Sequence, residues 1–385
     1  MAGWRSQHYR QEGGRAGIDK TILDAAVDTA NRTQTANPAV PPIFSLRHLA
    51  KLIGVEYGFL RAVVARRLDT PYRTFKIRKR PLPGEPQRFR RIVVPSPRLM
   101  ALQRWINSNI LANGQPHEAS MAFTQGDNIR SAAALHCGCR WLIKIDVQNF
   151  FEAISERRAY HVFRDFGYQP LVAFELARLC TRQGRKATRR YAEKWIADYQ
   201  RWPEISDYHS RFLGYLPQGA PTSPQLANLA VRDLDTAVFD IAERGGLVYT
   251  RYADDIALST NAKGFNRADA GRIVSQVYDA LTQSGLTPNL AKTAIRTPRC
   301  RKVVLGLLVD GPEPRLQKAY KRRLERHLHF LRHPDVGPAR HAAHLGGATV
   351  HGLQQHVHGL ILYARQIEPA YGAERLEDYS AVQWA

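Results

Sequence analysis

Hydrophobic spacing along the chain changes rhythm several times, and each change marks an element. Residues 1 to about 42 are polar and end in Asn37-Pro-Ala-Val-Pro-Pro42, which reads as a linker-like stretch. Ser45 is then placed as a helix N-cap, with Phe44 and Leu49 as a hydrophobic staple, and the helix runs to about Ile53, where Gly54 breaks it. A second apolar stretch covers about Tyr57 to Val64. The pair has the outline of a helix-turn-helix, but two short helices in sequence are common, and packing against the next subdomain is the expectation. Between Tyr72 and Pro97 the rhythm shortens to two strands, Phe75–Arg78 and Phe89–Val94, around the turn Pro81-Leu-Pro-Gly-Glu-Pro86. Leu99, Leu102, Ile106 and Ile110 then recur at helical spacing and predict a helix from about Pro97 to Leu111.

Further on, a strand is expected over Arg140–Asp146, a helix from about Gln148 and another ending near Cys180. A helix is expected over about 225–243 and one over about 267–284, flanking Leu247–Ser259, where two strand-like runs meet at a very tight acidic turn. Lys302–Val309 reads as one strand, and residues 315–385 are mostly amphipathic helix. There are no repeats and no low-complexity tract.

Composition is that of a globular protein, with 44% hydrophobic and 23% charged residues in 385, enough for two or three packed subdomains. The charge is unusual. Lys and Arg number 56 against 34 Asp and Glu, a net +22 that opposes compaction and points to a polyanionic partner rather than a merely basic solvated surface. Between Arg61 and Arg104 there are 13 Lys/Arg and two acids, Asp69 and Glu85, so half of the net charge lies on and around the predicted hairpin. Tyr72, Phe75 and Phe89 interleave with it, as on a surface that grips phosphates and stacks bases. Cys137, Cys139, Cys180 and Cys300 form no Cys-x-x-Cys pair. Without a signal peptide or a long apolar span, reduced thiols in a cytosolic protein, away from membranes, are expected. His136-Cys-Gly-Cys139 lacks a second zinc half-site, so core or turn residues are expected there. Eight of the 14 histidines fall between His327 and His358, without a ligand pattern, and read as helix-surface histidines near nucleic acid.

Candidate chemistry centres on Tyr252-Ala253-Asp254-Asp255. Two adjacent aspartates at a hairpin tip repel each other and make sense if a divalent cation sits against them, the bland alternative being a solvated loop. Asp146 ends an apolar strand. If that strand pairs beside the hairpin, three carboxylates meet in a site able to hold two cations. The expected chemistry is attack of a primer 3′-hydroxyl on the α-phosphate of a nucleotide.

Five segments occur in the order, and nearly the wording, of reverse transcriptases of the bacterial retron and group II intron type, which the chain resembles from about 45 to 385. They are Phe89-Arg-Arg-Ile-Val-Val-Pro-Ser-Pro97, Ile145-Asp-Val-Gln-Asn-Phe-Phe151, Leu216-Pro-Gln-Gly-Ala-Pro-Thr-Ser-Pro224, Arg251-Tyr-Ala-Asp-Asp-Ile-Ala-Leu-Ser259 and Gly285-Leu-Thr-Pro-Asn-Leu-Ala-Lys-Thr293. The resemblance implies an α+β right-hand polymerase with an antiparallel palm sheet and a helical thumb. N-terminal helices would cover 1–69, fingers and palm 70–310 with a basic insertion at 182–211, and the thumb 311–385. It implies Asp146, Asp254 and Asp255 as ligands of two Mg²⁺ ions, or Mn²⁺ as a substitute, with the Val147 carbonyl assisting. Phe151 matches the steric gate against a ribose 2′-hydroxyl, and Gln218 and Gly219 line the nucleotide pocket. Arg90 and Lys79 would hold the triphosphate, and Lys292 would protonate the leaving pyrophosphate. For Lys79 and Lys292 an ordinary surface lysine stays open. Leu305 and Gly306 match the primer grip.

Two departures stand out. Retron enzymes carry Asn-Ala-x-x-His where this chain has Ala132-Ala-Ala-Leu-His136, and Val-Thr-Gly where it has Val304-Leu305-Gly306; both elements are associated with recognition of the retron's own RNA. In 182–211, Tyr191, Trp195, Tyr199 and Trp202 interleave with Arg185, Lys186, Arg189 and Arg190, which fits either RNA or partner contact or an amphipathic insertion on the fingers. No maturase or endonuclease segment follows the thumb, which points away from a mobile intron protein. The expected function is RNA-directed synthesis of DNA on a dedicated non-coding RNA in bacterial anti-phage defence, as in defence-associated reverse transcriptases. The expected partners are that RNA, the DNA product and dNTPs, with a second defence protein or self-association beside them. Alternatives are template-independent or protein-primed synthesis, a retron enzyme making its own RNA-linked DNA, and a non-catalytic RNA-binding scaffold.

Overall fold

Ahead of the linker-like Asn37–Pro42 stretch, which is neither helix nor strand, the polar N-terminal residues form α1 (Ser6–Arg15) and α2 (Lys20–Ala36). Asp19 caps α2 by accepting a hydrogen bond from the Thr21 amide (2.7 Å), and Leu23, Val27 and Ala30 form its buried stripe together with Thr29 and Thr33. The threonines disguise the stripe. Each buries its hydroxyl by donating to the carbonyl one turn back, Thr29 to Ala25 (2.9 Å) and Thr33 to Thr29 (3.2 Å).

The computed structural model describes residues 4–68, 71–78, 87, 89–124, 126–183, 205–210, 212–346 and 349–384. After α2 come α3 (Leu46–Ile53), α4 (Tyr57–Val64), β1 (Tyr72–Arg78), β2 (Phe89–Pro95), α5 (Pro97–Asn109), α6 (Ile129–Ala134) and β3 (Trp141–Asp146). Next are α7 (Phe150–Ala153), α8 (Glu156–Asp165), α9 (Pro170–Cys180), α10 (Ser223–Ala230), α11 (Arg232–Arg244), β4 (Val248–Tyr252) and β5 (Asp255–Thr260). The chain closes with α12 (Arg267–Gln283), β6 (Ala294–Arg296), β7 (Val303–Val304), β8 (Leu307–Leu308), β9 (Arg315–Leu316), α13 (Lys318–Arg332), α14 (Gly337–His344), α15 (Val350–Ile367) and α16 (Pro369–Ser380). Among the described residues, no helix is long and apolar enough to cross a membrane.

Two expected elements are broken. The helix expected over 225–243 is two, because Val231 leaves helical backbone (φ −114°, ψ 16°) between α10 and α11. The strand expected over Lys302–Val309 folds back on itself as β7 and β8, since Leu305 (φ 50°) and Gly306 (φ 86°) make a left-handed two-residue turn.

The chain divides into two compact units, one of Met1–Thr124, Val147–Ala237 and Ala280–Thr287, the other of Gln125–Asp146, Val238–Asp279 and Pro288–Ala385. In the first, β1 and β2 form the expected antiparallel hairpin, and the turn expected at Pro81–Pro86 lies outside the described residues. The N-terminal segment is tied to the turn between α8 and α9 by Tyr168 Oη donating to Pro41 O (2.8 Å) and Gln169 Nε2 donating to Phe44 O (2.6 Å). Glu156, buried, binds Arg66 (2.8 Å) and Arg178 (3.1 Å) and accepts from the Gly214 amide (3.0 Å). Burial alone would push its carboxyl pKa up, but the two guanidiniums outweigh that and hold it below the usual value.

In the second unit an antiparallel sheet runs β4-β5-β3-β6. Leu142 and Ala257 of this sheet share a core with Val304, Leu307, Leu324, Leu328, Val357 and Ile361, so the C-terminal helices pack into the same apolar cluster as the sheet. The histidines of these helices are not all on the surface. His327 and His341 are buried, with ring nitrogens 3.0 Å apart, and burial pushes His327 down to about 4. All four cysteines are free thiols, Cys139 and Cys180 buried.

Candidate active site

The register of β3 against β5 sets Asp146 directly across from Asp255. Residues opposed in an antiparallel pair present their side chains on one face, so both carboxylates look the same way. Tyr252 pairs with Asp255, which leaves Ala253 and Asp254 as the two-residue turn. Ala253 takes the left-handed conformation (φ 56°), uncommon for a residue with a Cβ. Its carbonyl accepts a hydrogen bond from Nη1 of the fully buried Arg251 (3.2 Å), so a buried guanidinium braces the strained turn from beneath.

The cluster is electrostatically loaded. Burial raises the Asp255 pKa above its ordinary value, and the charges of Asp254 and Asp146 raise it further, against the pull of Lys144 and Lys292. Lys144 stands two residues before Asp146 on the same face of β3. Lys292 Nζ donates to Asp146 Oδ1 (2.6 Å), and Asn289 Nδ2 donates to Asp146 Oδ2 (2.8 Å) while its amide donates to Asp146 O (2.7 Å). Asn289 begins a 3₁₀ turn, Leu290–Lys292, and the three-residue repeat of that turn brings positions 289 and 292 to one side.

In the first unit, Arg90 lies exposed on β2, paired with Ile77. The Leu216–Gly219 segment is tied to the same strand, since the Val93 amide donates to Gln218 O (2.7 Å). Gly219 (φ 117°) lies so close that a Cβ there would meet Ile92 Cγ2 at 2.9 Å and Val93 O at 3.1 Å. Phe151 on α7 packs its ring against Phe150 (5.6 Å between centroids) and Phe123 (6.3 Å). Val147 is buried at the start of that stretch. Leu305 and Gly306 form the β7–β8 turn of the second unit, where Gln317 Nε2 donates to Gly306 O (2.9 Å). Lys79, Arg185, Lys186, Arg189 and Arg190 lie outside the described residues.

Sequence reasoning passed over Asn289, Lys144 and Arg251. Asn289 had a readable signal, a short amide three residues before Lys292. Arg251 had none, because an arginine on a strand reads as solvated until its burial is seen.

The antiparallel sheet carries Asp146 and Asp255 on adjoining strands, and the family the chain matches is one of nucleic-acid polymerases. More narrowly, the chain belongs to the reverse transcriptase family, whose description, reverse transcriptase (RNA-dependent DNA polymerase), matches residues 77–331. It is similar to the retron Ec86 reverse transcriptase of Escherichia coli, 27% identical over 349 residues that cover 90% of this chain and 96% of that one. It is also similar to the retron Mx162 reverse transcriptase of Myxococcus xanthus, 29% identical over 341 residues, 85% of this chain and 67% of the relative. The retron Ec73 reverse transcriptase of Escherichia coli is 33% identical over 184 residues, 46% of this chain and 52% of the relative. The activity is therefore that of a retron-like bacterial RNA-directed DNA polymerase. Reverse transcriptase domains generally use divalent metal ions, usually Mg²⁺.

Proposed function

We propose that this polymerase copies a dedicated non-coding RNA into DNA in the manner of a retron enzyme, as part of bacterial defence against phage. The carrying observation is the likeness to a retron reverse transcriptase over nearly the full length of both chains. In this reading residues 70–310 are fingers and palm of a right hand and 311–385 the thumb.

Asp146, Asp254 and Asp255, with the Val147 carbonyl, are the groups that would hold two Mg²⁺ ions. Their hard oxygen donors suit that ion, and a cation would offset both the burial and the neighbouring aspartate charges that raise Asp255. Among the described residues no three His, Cys, Asp or Glu side chains are gathered into a ready cage. Mg²⁺ usually takes one or two carboxylates and completes its shell with water and substrate phosphates. When bound, such ions neutralise the triphosphate and acidify the attacking hydroxyl.

The chain's own groups do the rest. Lys292, whose Nζ donates to Asp146, would protonate the leaving pyrophosphate. Arg90, with Lys79, would grip phosphate oxygens, Phe151 would exclude a 2′-hydroxyl, Gln218 and Gly219 would line the nucleotide, and Leu305 and Gly306 would steady the primer end. Arg185, Lys186, Arg189 and Arg190 would touch the RNA.

The test is to purify the protein with its native transcripts, sequence the bound nucleic acid and follow dNTP incorporation. Mg²⁺-dependent synthesis of DNA complementary to one co-purified RNA, lost in Asp254→Ala, is expected. Product formation that survives removal of the RNA would overturn the reading, and label left on the denatured protein would point to protein priming.

A further inference from the structure

His136 follows α6 and is fully buried in the second unit. Its Nδ1 lies 2.7 Å from Ser259 Oγ and its Nε2 lies 2.7 Å from Thr250 Oγ1. Thr250 belongs to β4 and Ser259 to β5, the strands whose shared turn carries Asp254 and Asp255. Thr250 pairs with Ala257, which stands two residues from Asp255 on one side and two from Ser259 on the other. Alternate residues of a strand share a face, so both hydroxyls and the Asp255 carboxylate project from the same side of the sheet. The imidazole therefore spans the hairpin diagonally, roughly 7–14 Å along β5 from Asp255 at the usual rise per residue.

The bridge is directional. Burial pushes the imidazole down to about 4, so it is neutral, one ring nitrogen donating and the other accepting. The Ser259–His136–Thr250 chain is then fully satisfied inside the core, where such networks fix a single arrangement. Arg251 projects from the opposite face of β4 and holds the Ala253 carbonyl (3.2 Å). The turn is thus held from both sides of the sheet.

His136 ends the element that, by resemblance, is associated with RNA recognition, yet a fully buried ring has no surface to offer RNA. We propose that His136 is a positioning residue of the polymerase reaction, clamping β4 to β5 so that the Asp254-Asp255 turn keeps its pitch against Asp146. The Asn missing at position 132 then has no bearing on this role, because Ala132 is itself fully buried and the clamp needs only the histidine.

The test uses the full chain on a generic poly(rA)·oligo(dT) template, with rates normalised to active sites by burst amplitude. Thr250→Val and Ser259→Ala each remove one hydroxyl with little change of shape, so they remain informative even where His136→Gln folds poorly. Each is expected to lower kcat by roughly tenfold, with KM for dTTP nearly unchanged, since small misplacements of catalytic groups are costly. Thr250→Val should add little once His136 is Gln, because parts of one unit are not additive. Turnover per active site that stays at the wild-type level, with only the melting temperature or active fraction falling, would reduce His136 to a stability residue and overturn the proposal. Unchanged turnover with weakened binding of the co-purified RNA would overturn it in favour of an RNA contact.

Discussion

Asn289 grips Asp146 at two points, its amide donating to the Asp146 carbonyl (2.7 Å) and its Nδ2 to the carboxylate (2.8 Å). The backbone and the side chain of the residue that ends β3 are thereby fixed by one neighbour. Outer partners of metal-binding carboxylates typically contribute 10–100-fold to affinity or activity. Asn289→Ala is therefore expected to lower dNTP turnover by roughly 10–100-fold and to raise the Mg²⁺ concentration for half-activity. Asn289→Asp should be worse, since it sets a like charge against Asp146. Steady-state incorporation over an Mg²⁺ titration checks both.

The raised pKa of Asp255 makes a stability prediction as well as a catalytic one. A carboxyl whose folded pKa lies above its unfolded value contributes stability below the unfolded value and loses it as pH rises through the folded one. At neutral pH without metal, the ionised Asp255 is thus a liability. Asp255→Asn is expected to melt higher than wild type in EDTA at pH 7.5, yet to show no polymerase activity. In wild type, added Mg²⁺ should raise the melting temperature, and in the variant much less. A variant that melts lower in EDTA would show that Asp255 is stabilised by its lysines rather than strained by its neighbours.

These two residues mark how far the sequence could be read. The acidic turn was legible because two adjacent aspartates between strand-like runs are out of place unless they serve a cation, and Asp146 because it ends an apolar strand. Helix α3 was legible because Ser45 accepts from the His48 amide (3.1 Å), a bond the cap residue itself predicts. What failed were places where polarity and structure part company. Thr29 and Thr33 made a buried helix face look polar, and Leu305 occupies a left-handed turn position that Asn or Gly would have announced. Val231 interrupts a helix whose apolar spacing continues across the break. His136 and Arg251 are polar residues whose partners lie on other strands, so only the folded register shows what they hold.

Gly219 permits the close approach that joins the Leu216–Gly219 segment to β2. Its φ of 117° is strained for any residue with a Cβ, and that Cβ would press on backbone at Val93 O (3.1 Å) as well as on Ile92. Gly219→Ala is expected to disturb the Val93–Gln218 hydrogen bond and raise the KM for dNTPs, with Mg²⁺ dependence unchanged. Kinetics at saturating Mg²⁺ over a range of dNTP separate this from a defect at the carboxylates.

Glu175 is buried on α9 and accepts a hydrogen bond from Tyr208 Oη (2.5 Å). Burial pushes its carboxyl up to about 7, against the pull of that hydrogen bond and of Arg61. The raised pKa means stability present at acid pH and lost as pH climbs towards and past 7. Glu175→Gln keeps an acceptor for Tyr208 without the charge. It is expected to match wild type near pH 5 and to be more stable at pH 8 by on the order of 2–3 kcal/mol. Thermal melts across that range check the sign, and a variant that is less stable at pH 8 would mean the ionised form is the one the site holds.

Phe151 offers the sharpest test of sugar selection. The residue follows Asp146 by five positions, and its ring packs against Phe150 and Phe123, as the proposed role of a gate against a larger sugar requires. An aromatic ring against C2′ leaves no room for a hydroxyl, whereas a small side chain does. A contact of this kind, where one added group is refused by shape, discriminates by roughly 10–200-fold. Phe151→Val or Phe151→Ala is therefore expected to raise CTP incorporation relative to dCTP by about that factor, with a smaller loss in dCTP turnover. Phe151→Tyr keeps the ring and should keep the preference. The ratio of kcat/KM for dCTP and CTP on one RNA template decides the matter: a ratio that does not move in the small-side-chain variants assigns sugar selection elsewhere.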